Sequence, residues 1–321
     1  YNADGDAIGS SLALYLFLKK RGHDVSVISP NPFPSFLQWM PSAKDILVFE
    51  KDTTLATQKI NEADILFSLD YNNFSRTKVM EKTLLESKGT KVLIDHHLHP
   101  SADFEFGVSL PEKSSTCEMV YDFINLAEGN NEITVSIAQC IYSGAVTDTG
   151  SFKYASAVAS THLMVADLMQ KGLEQTRIHE LIMDTNEENR LRLLGHLLSK
   201  KMELLHDCHA AIISLDEDEQ KQYPLGAGGT EGFVNYPLSL ATVILSIFIS
   251  SKQGEIRMSF RSKGNFDVCE FAQKHFEGGG HFNAAGGRSD LSIPQTIEKL
   301  NTIINENKKQ LKLCYEELQS L

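Results

Sequence analysis

The sequence predicts an α/β protein: a parallel-sheet domain with helices on both faces, then a helical connector, then a smaller α/β domain. In the first half, runs rich in β-branched residues alternate with helical patterns, and these runs are apolar throughout. Strands of that kind belong to a parallel sheet covered on both faces. After residue 205 the sequence changes to short strand-like runs and glycine turns, which indicates the second domain.

Two of the predicted strands end in an acidic residue, Asp70 and Asp95. The carboxyl ends of parallel strands share one edge of the sheet, and ligands bind there. We therefore expect both side chains at the edge where the chemistry takes place. The predicted strands are 24–29, 63–70 and 90–95, and the helical segments that follow them are 115–128 and 134–147.

The segment 157–205 is helical in pattern, with one charged side and no strand signal. It contains the closing helices of the first domain and the connector. We therefore predict a first domain at 1–190, a helical linker at 191–205 and a second domain at 206–321. Within the second domain, residues 297–318 are typical of a terminal amphipathic helix.

The composition bounds the class of protein. The 321 residues are 42% hydrophobic, which suits two globular domains. No apolar run is long enough to span a bilayer, and no basic segment followed by an apolar one begins the chain, so we expect a cytoplasmic protein without membrane contact. The five scattered cysteines fit reduced core thiols better than disulfides or a zinc site.

The net charge of −12 argues against a protein that coats long nucleic acid, because like charges repel. It remains compatible with a small anionic substrate that is held by metal ions and a local basic cluster. The sequence should then contain a concentrated set of metal ligands.

Four stretches place Asp or His where a strand or helix meets a loop: NADGDAIGS, LFSLDYNN, LIDHHLHP and GAVTDTGSF. Taken singly, each has another explanation, since Asp4 or Asp148 could cap a helix and His97 or His99 could be loop residues. Taken together they predict a metal site, because converging carboxylates repel one another unless cations compensate them.

Carboxylates with one or two imidazoles suit Mn²⁺ best, with Mg²⁺ or Co²⁺ as lesser candidates and zinc disfavoured. Two such ions, bridged by a carboxylate and water, generate hydroxide for attack on phosphorus. Asp4 and Asp6 are two residues apart, so each can serve one ion. Gly9 and Ser10 then open a predicted helix whose first amides face a phosphate.

These motifs resemble those of the DHH phosphoesterases, for which IDHH at 94–97 is the namesake motif. NADGDAIGSSLAL, SLDYNN, IDHH and VTDTGSF follow the family's order, and RMSFRSKG with FEGGGHFNAAGG resembles the associated DHHA1 domain. The resemblance covers nearly the whole chain. Within the family, a two-domain chain of this size is most similar to the group of nanoRNases and pAp phosphatases.

The resemblance implies the roles of the metal ligands. One Mn²⁺ would be bound by Asp6, Asp70, His96 and Asp148. The second would be bound by Asp4 and by Asp70, which bridges the two ions. His97 would contact the scissile phosphate or help to protonate the leaving oxygen.

The family pattern His-x-Asn-Pro-Asp-x-Asp departs from this sequence at two points. It requires a histidine directly before Tyr1, and Ala3 replaces the usual proline. The expectation is therefore that a metal-binding histidine lies just upstream of Tyr1, or else that one ion is held weakly.

In the second domain the resemblance assigns substrate binding to an arginine and a GGGH loop. The residues are Arg261, Gly278, Gly279, Gly280 and His281. Physically, glycine amides form an anion-binding nest and a guanidinium pairs with phosphate oxygens. Arg257 and Lys263 flank Arg261, and Arg288 adds either charge to the site or a solvated surface group. Phe233 and Tyr236, in a second glycine-rich loop, could stack on a base, although core packing or an interface suits them better.

The sequence therefore predicts a Mn²⁺-dependent hydrolase that acts as a 3′–5′ exonuclease. It would convert short 5′-phosphorylated oligonucleotides to mononucleotides and 3′-phosphoadenosine 5′-phosphate (pAp) to AMP. A homodimer is left open. Alternative enzymes are a phosphodiesterase of cyclic dinucleotides or pApA, an exopolyphosphatase and, less favoured, an inorganic pyrophosphatase. A catalytically impaired nucleotide sensor and a general RNA-binding module are the non-enzymatic alternatives.

Overall fold

The computed structural model describes residues 1–154, 156–226, 228–252 and 254–320. The chain divides into two compact units, Tyr1–Thr185 and Asn186–Leu321. Each unit has its own buried core, and each is described by itself below.

The strands of the first unit form a three-stranded parallel sheet and a separate parallel pair. In the sheet, β4 lies between β3 and β5, and in the pair β1 lies beside β2. The strands are β1 (Ile28–Ser29), β2 (Leu47–Val48), β3 (Ile65–Leu69), β4 (Thr90–Asp95) and β5 (Phe106–Ser109).

The main core of this unit lies where α1, α4 and α5 pack together. Ser115 and Thr134 begin α4 and α5 as N-caps, because each side-chain oxygen accepts a backbone N–H of the first turn. The helices are α1 (Gly5–Lys20), α2 (Thr53–Glu62), α3 (Glu81–Glu86), α4 (Thr116–Leu126), α5 (Val135–Asp148), α6 (Ala159–Gln170) and α7 (Gln175–Met183).

A predicted strand at 24–29 is confirmed only over Ile28–Ser29. The Val27 and Ser29 carbonyls accept hydrogen bonds from Leu47 and Phe49 on the β2 side. This segment also borders a cleft of about 590 Å³, whose lining includes apolar side chains of α1 and β3. Within the described residues, no strand pairs with β1 on the side away from β2. The apolar run 24–29, which has the pattern of a central strand, therefore forms strand hydrogen bonds on one side only.

The second unit contains a six-stranded mixed sheet in the order β10-β11-β9-β8-β7-β6. Among these described strands, β7 and β8 pair in parallel and the other neighbours are antiparallel. The strands are β6 (Met202–Leu205), β7 (Ala210–Leu215), β8 (Leu245–Lys252), β9 (Glu255–Ser262), β10 (Gly279–His281) and β11 (Ala284–Ser289).

Helical segments pack on both faces of this sheet, and on one face they cover only part of it. The helices are α8 (Glu188–His196), α9 (Glu217–Gln222), α10 (Val268–His275), α11 (Ile293–Glu306) and α12 (Lys308–Gln319). α10 and α11 pack on one face. On the other face, α8, the π-helical turn Leu197–Lys201 and Phe233 cover β7 and β8.

Two predicted helical segments differ from the structure. Met202–Leu205 falls in the predicted helical linker, but it is an edge strand because it pairs antiparallel with β7. The predicted terminal helix is two helices, since the chain turns at Asn307, which ends α11 and begins α12.

The predicted α/β fold class, with a parallel sheet in the first half, is confirmed. The exact domain boundary stays a prediction. In the part of the chain that the structure describes, no helix is both long enough and apolar enough to cross a membrane.

We expect Gly9→Ala to destabilise the first unit, because α1 and α5 approach closely there. An added Cβ would lie 2.6 Å from the Cys140 carbonyl oxygen. Overpacking of this kind lowers the free energy of unfolding by about 1–3 kcal/mol. Gly195→Ala in α8 is the matched control, since nothing lies within 4 Å of its added Cβ and the change should stabilise that helix by about 0.5–1 kcal/mol. Urea unfolding followed by circular dichroism measures both, and equal stability of the Gly9 variant and the parent would contradict the packing.

Candidate functional site

The acidic and histidine residues converge at the carboxyl edge of the first sheet. Asp70 follows β3, and His96 and His97 follow β4. Two helices bring the other acids: Asp6 lies in the first turn of α1 and Asp148 is the last residue of α5. Because α1 and α5 pack along each other, these two helix ends meet above the strand ends.

The centre of this cluster is the imidazole of His96. Its Nε2 lies 3.4 Å from Asp148 Oδ2, 3.6 Å from Asp70 Oδ1 and 3.9 Å from Asp6 Oδ2. His97 Nδ1 lies 3.7 Å from Asp70 Oδ1. In each of the triads Asp6, His96, Asp148 and Asp70, His96, His97 the ligand atoms lie within 4.8 Å of one another. Five of the predicted site residues are thus together.

The carboxylate of Asp6 is held by the first amides of α4. Its Oδ2 accepts the Thr116 N–H at 2.6 Å, and its Oδ1 accepts the Cys117 N–H at 2.9 Å. A helix N-terminus favours negative charge, so the side chain is fixed although it is 1% exposed. The helix whose N-terminal amides serve the cluster is therefore α4.

Asp4 is placed differently from the prediction that it and Asp6 project from one loop. It is the exposed N-cap of α1, and its Oδ1 accepts the N–H groups of Asp6 and Ala7 at 3.1 and 3.0 Å. The helix therefore begins at Gly5, not at Gly9 and Ser10, and its first amides are occupied by the cap. Only the second oxygen of Asp4 could bind an ion without sharing the cap.

A backbone carbonyl fixes the tautomer of His96. Its Nδ1–H donates to the Lys113 carbonyl at 3.3 Å. Nε2, which faces the three carboxylates, is therefore the nitrogen that carries the lone pair in the neutral ring. This is the arrangement of an imidazole metal ligand.

Asp95 lies at the carboxyl edge of the first sheet, as the sequence predicts, and it holds His97, a role that was not predicted from the sequence. Its Oδ1 lies 2.8 Å from His97 Nδ1, and the side chain is completely buried at the end of β4. Its Oδ2 has no hydrogen-bond partner among the described residues. The Asp-His-His run was the available signal, since a strand-end residue two positions before a histidine can point to the same side.

Burial and mutual repulsion raise the pKa values of the clustered acids. Burial, then the charges of Asp6, Asp4, Asp148 and Asp95, hold the Asp70 pKa well above its usual range. Burial, followed by the charges of Asp6 and Asp4, raises the pKa of Asp148 to about 8. Asp148 also stands at a helix C-terminus, where a negative charge is unfavourable.

The donor set fits a divalent cation. In the described part of the chain, the ion-pair partners of Asp6, Asp70 and Asp148 are imidazoles rather than lysine or arginine. Several carboxylate oxygens with one imidazole nitrogen suit a hard or borderline ion such as Mn²⁺. A cation would remove the repulsion that raises these pKa values.

Glu118 organises the loop that supports the cluster. This buried residue accepts hydrogen bonds from the Ser114 and Ser160 hydroxyls at 2.5 and 2.6 Å and from the Thr161 hydroxyl at 2.9 Å. Lys113 Nζ donates to it at 3.1 Å. Although burial opposes ionisation, these donors lower the Glu118 pKa to about 2. Glu118 thus ties the start of α6 to the loop whose carbonyl receives His96.

In the second unit, strand register brings Arg261 and His281 into one row. His281 pairs with Ala284 on β11, and Ala284 pairs with Arg261 on β9. Directly paired residues point to the same face, so the small Ala284 lies between the Arg261 and His281 side chains. Of the predicted residues, Arg261, Gly279 and His281 therefore share one face of the sheet, whereas Gly280 pairs with the buried Ala285 and belongs to the other face.

Close backbone contacts require glycine at two positions of the Gly278–Gly280 loop. An added Cβ at Gly278 would lie 2.3 Å from the Gly286 carbonyl oxygen. Gly280 has a φ of +152°, and its added Cβ would lie 2.4 Å from the Ala284 carbonyl oxygen. Of the two aromatic candidates in the other glycine-rich loop, Phe233 is completely buried and packs on Phe248, whereas Tyr236 is 43% exposed.

We expect Glu118→Gln to remove a pH-dependent part of the stability of the first unit. The folded-state pKa of Glu118 lies below its unfolded value, so its contribution is present above pH about 4.5 and is lost as pH falls towards about 2. A shift of this size corresponds to roughly 3 kcal/mol at neutral pH. Thermal unfolding from pH 3 to 7 should therefore show a flatter profile for the variant. The matched control is Glu112→Gln, an exposed glutamate in the same loop, and equal profiles for all three proteins would contradict the role of Glu118.

Comparisons with known proteins agree with this organisation. Residues 1–145 match the DHH family, N-terminal domain, and residues 227–311 match the DHHA1 domain. The chain is 28% identical to the bifunctional oligoribonuclease and PAP phosphatase NrnA of Thermus thermophilus, over 94% of this chain and 86% of that protein. It is 25% identical to the cyclic-di-AMP phosphodiesterase GdpP of Bacillus subtilis, over 94% of this chain and 46% of that protein.

A solved structure shows the same fold at higher identity. The crystal structure of an exopolyphosphatase-related protein from Bacteroides fragilis is 39% identical, with a TM-score of 0.94, and the match covers 97% of this chain and 91% of that chain. With both domains matched in order and a closely similar fold, this chain belongs to the DHH family and carries a DHHA1 domain.

Proposed function

We propose that this protein is a divalent-metal-dependent phosphoesterase that hydrolyses short 5′-phosphorylated oligonucleotides to mononucleotides and pAp to AMP. The observation that carries the proposal is the cluster of Asp6, Asp70, His96 and Asp148, in which Asp6 is buried and the other three are half-buried. Its carboxylates pair with imidazoles and with no lysine or arginine among the described residues. The similarity to NrnA over both domains supports the choice of substrate.

We assign the metal ligands as the resemblance to the DHH family implies. The geometry supports this in part: it groups Asp6 with His96 and Asp148, and Asp70 with His96 and His97, whereas Asp4 belongs to neither group. Asp6, Asp70, His96 and Asp148 would hold one ion, and Asp70 with the second oxygen of Asp4 would hold another. Two bound Mn²⁺ ions would supply an activated hydroxide and neutralise charge on the phosphoryl oxygens. The protein keeps these ligands in place through the α4 amides on Asp6 and the Lys113 carbonyl on His96.

His97 is proposed to act on the leaving group. Asp95 accepts a hydrogen bond from His97 Nδ1, which orients the ring. A histidine held in this way can carry a proton at Nε2 and give it to the departing oxygen, or can contact the phosphate as a cation. Asp95 is then a positioning residue.

Arg261, His281 and the loop Gly278–Gly280 are proposed to hold the 5′-phosphate end of the substrate. Arg261 and His281 lie on either side of the small Ala284, so both side chains could contact the same phosphate. The described cysteines are free thiols, which suits activity in the reducing cytoplasm.

A second candidate is the hydrolysis of a cyclic dinucleotide or of pApA. The similarity to GdpP, which spans both domains of this chain, favours this candidate. The two activities share the phosphodiester chemistry and differ in the substrate that is held. Only a comparison of substrates separates them.

We expect Asp70→Asn to raise the melting temperature of the metal-free protein and to abolish its stabilisation by Mn²⁺. Removing one carboxylate relieves the repulsion that raises the Asp70 pKa, and asparagine also tolerates the residue's φ of +64°. Calorimetric titration with MnCl₂ should show at least tenfold weaker binding. Asp64→Asn, outside the cluster, is the control, and unchanged Mn²⁺ binding by the Asp70 variant would exclude this residue as a ligand.

We expect His97→Ala to lower kcat on both pAp and a 5′-phosphorylated dinucleotide by about 10²–10⁴-fold. Asp95→Asn should give a smaller loss of kcat with KM little changed, because it acts only through His97. His99→Gln changes an exposed histidine two residues further along and should retain activity. The assay offers pAp, dinucleotide, cyclic di-AMP and polyphosphate to the full-length protein in Mn²⁺.

The outcomes of that assay separate the candidates. Hydrolysis of polyphosphate alone would contradict the proposal, and hydrolysis of cyclic di-AMP alone would select the second candidate. Full activity of the His97 variant on both linear substrates would exclude the assigned role.

A further inference from the structure

The exposed face of the second sheet carries two further arginines that the proposed function does not use. Arg257 on β9 pairs directly with Arg288 on β11, and both side chains are exposed. Directly opposed like charges on neighbouring strands destabilise a sheet. Arg257 Nη2 donates to Glu255 Oε2 at 3.1 Å, whereas Arg288 has no ion pair among the described residues. The net charge of the protein is −12, so two arginines placed side by side stand out from the composition of the chain. An anionic ligand would offset their mutual repulsion.

Three successive rows of this face form a regular surface. The first row is Arg261, Ala284 and His281, the middle row is Ser259, Gly286 and Gly279, and the third is the pair Arg257 and Arg288. We name these eight residues the basic strip. Its middle row has only small residues, so the backbone is accessible between two cationic rows.

The strip faces away from the core of the second unit. Met258, Phe260 and Ala285, which alternate with the strip residues, are buried under α10 and α11. On the strip face, β8 is covered by Phe233, which packs on Phe248 beside Ser259. The cover over β7 and β8 therefore borders the strip along β9.

The spacing of the rows suits more than one phosphate. Arg257 and Arg261 are four residues apart on β9, which corresponds to about 13 Å along an extended strand. Salt-bridging contacts are shorter than about 4 Å, so two cationic rows at this distance suit two phosphates better than one. A flat floor of small residues between them leaves room for the sugar-phosphate backbone.

We propose that Arg257 and Arg288 form a second phosphate site, which binds a further backbone phosphate of an oligonucleotide whose 5′ end is held by Arg261 and His281. This inference rests on the proposed function and deepens it. Binding strength then depends on the number of phosphates: an oligonucleotide of several residues engages both cationic rows, whereas pAp engages only the first.

The test compares the full-length protein with the double variant Arg257→Gln, Arg288→Gln. Binding of 5′-phosphorylated tetra-adenylate and of pAp is measured with EDTA present, so that no hydrolysis occurs. We expect the double variant to bind the tetranucleotide about tenfold more weakly and pAp within twofold of the parent. The slope of log affinity against log salt for the tetranucleotide should decrease by about 0.7 for each phosphate that the variant no longer neutralises.

The matched control is the double variant Arg192→Gln, Lys221→Gln. It removes two positive charges from other exposed ion pairs of the same unit and should leave both affinities unchanged. The melting temperature of the Arg257, Arg288 variant should not fall, since the variant removes a like-charge pair. In Mn²⁺, its KM for the tetranucleotide should rise with kcat unchanged.

The outcomes distinguish an error in the proposed function from an error in the second phosphate site. If the parent binds and hydrolyses neither substrate, the proposed function itself is wrong. If the parent is active and the double variant binds the tetranucleotide as well as the parent does, the second phosphate site is wrong and the proposed function stands. Equal loss of pAp and tetranucleotide binding would also overturn the second site, because the arginines would then serve the first phosphate.

Discussion

The first unit brings together carboxylates that are buried or half-buried and that repel one another. Asp6, Asp70 and Asp148 approach the same imidazole, and two of them have pKa values that burial and neighbouring charges raise strongly. The fold holds them by opposing means. The α4 amides favour the charge of Asp6, whereas the C-terminal position of Asp148 on α5 disfavours its charge. Charged carboxylates placed this close together are stabilised by a neighbouring cation, and this makes the cluster a candidate metal site.

The close approach of α1 and α5 is the packing condition for this cluster. An added Cβ at Gly144 would lie 2.8 Å from Asp6 Oδ1 and 2.2 Å from Cys117 Sγ. Added Cβ atoms at Gly5 and Gly9 would meet Thr147 and the Cys140 carbonyl. Glycine is thus required where α1 and α5 approach each other and where the Asp6 carboxylate needs space. The same contacts that close the core therefore set the distance between the acids from α1 and α5.

Much of the site could be predicted because its residues stand at the ends of elements with strong local signals. β3 and β4 read clearly as apolar runs, so Asp70 and His96 could be placed at one edge. The supporting contacts could not be predicted, since they join residues far apart in sequence: Asp6 with Thr116, and His96 with the Lys113 carbonyl. The prediction of a strand over 24–29 is correct only for Ile28–Ser29, and the reason is again long-range. An apolar run forms a hydrogen-bonded ladder only where a neighbouring strand is present.

The two units carry opposite local charges, and this difference bears on which anionic substrates the protein would select. The first unit concentrates carboxylates around two imidazoles at one edge of its sheet, whereas the second sheet places Arg257, Arg261 and Arg288 on either side of a row of small residues. With a net charge of −12, the rest of the surface repels a long polyanion. In the binding mode proposed above, attraction is confined to a few rows of one sheet, which would suit a substrate with few phosphates. A long strand would gain little beyond these rows, because the net charge of the protein as a whole opposes the approach of a polyanion.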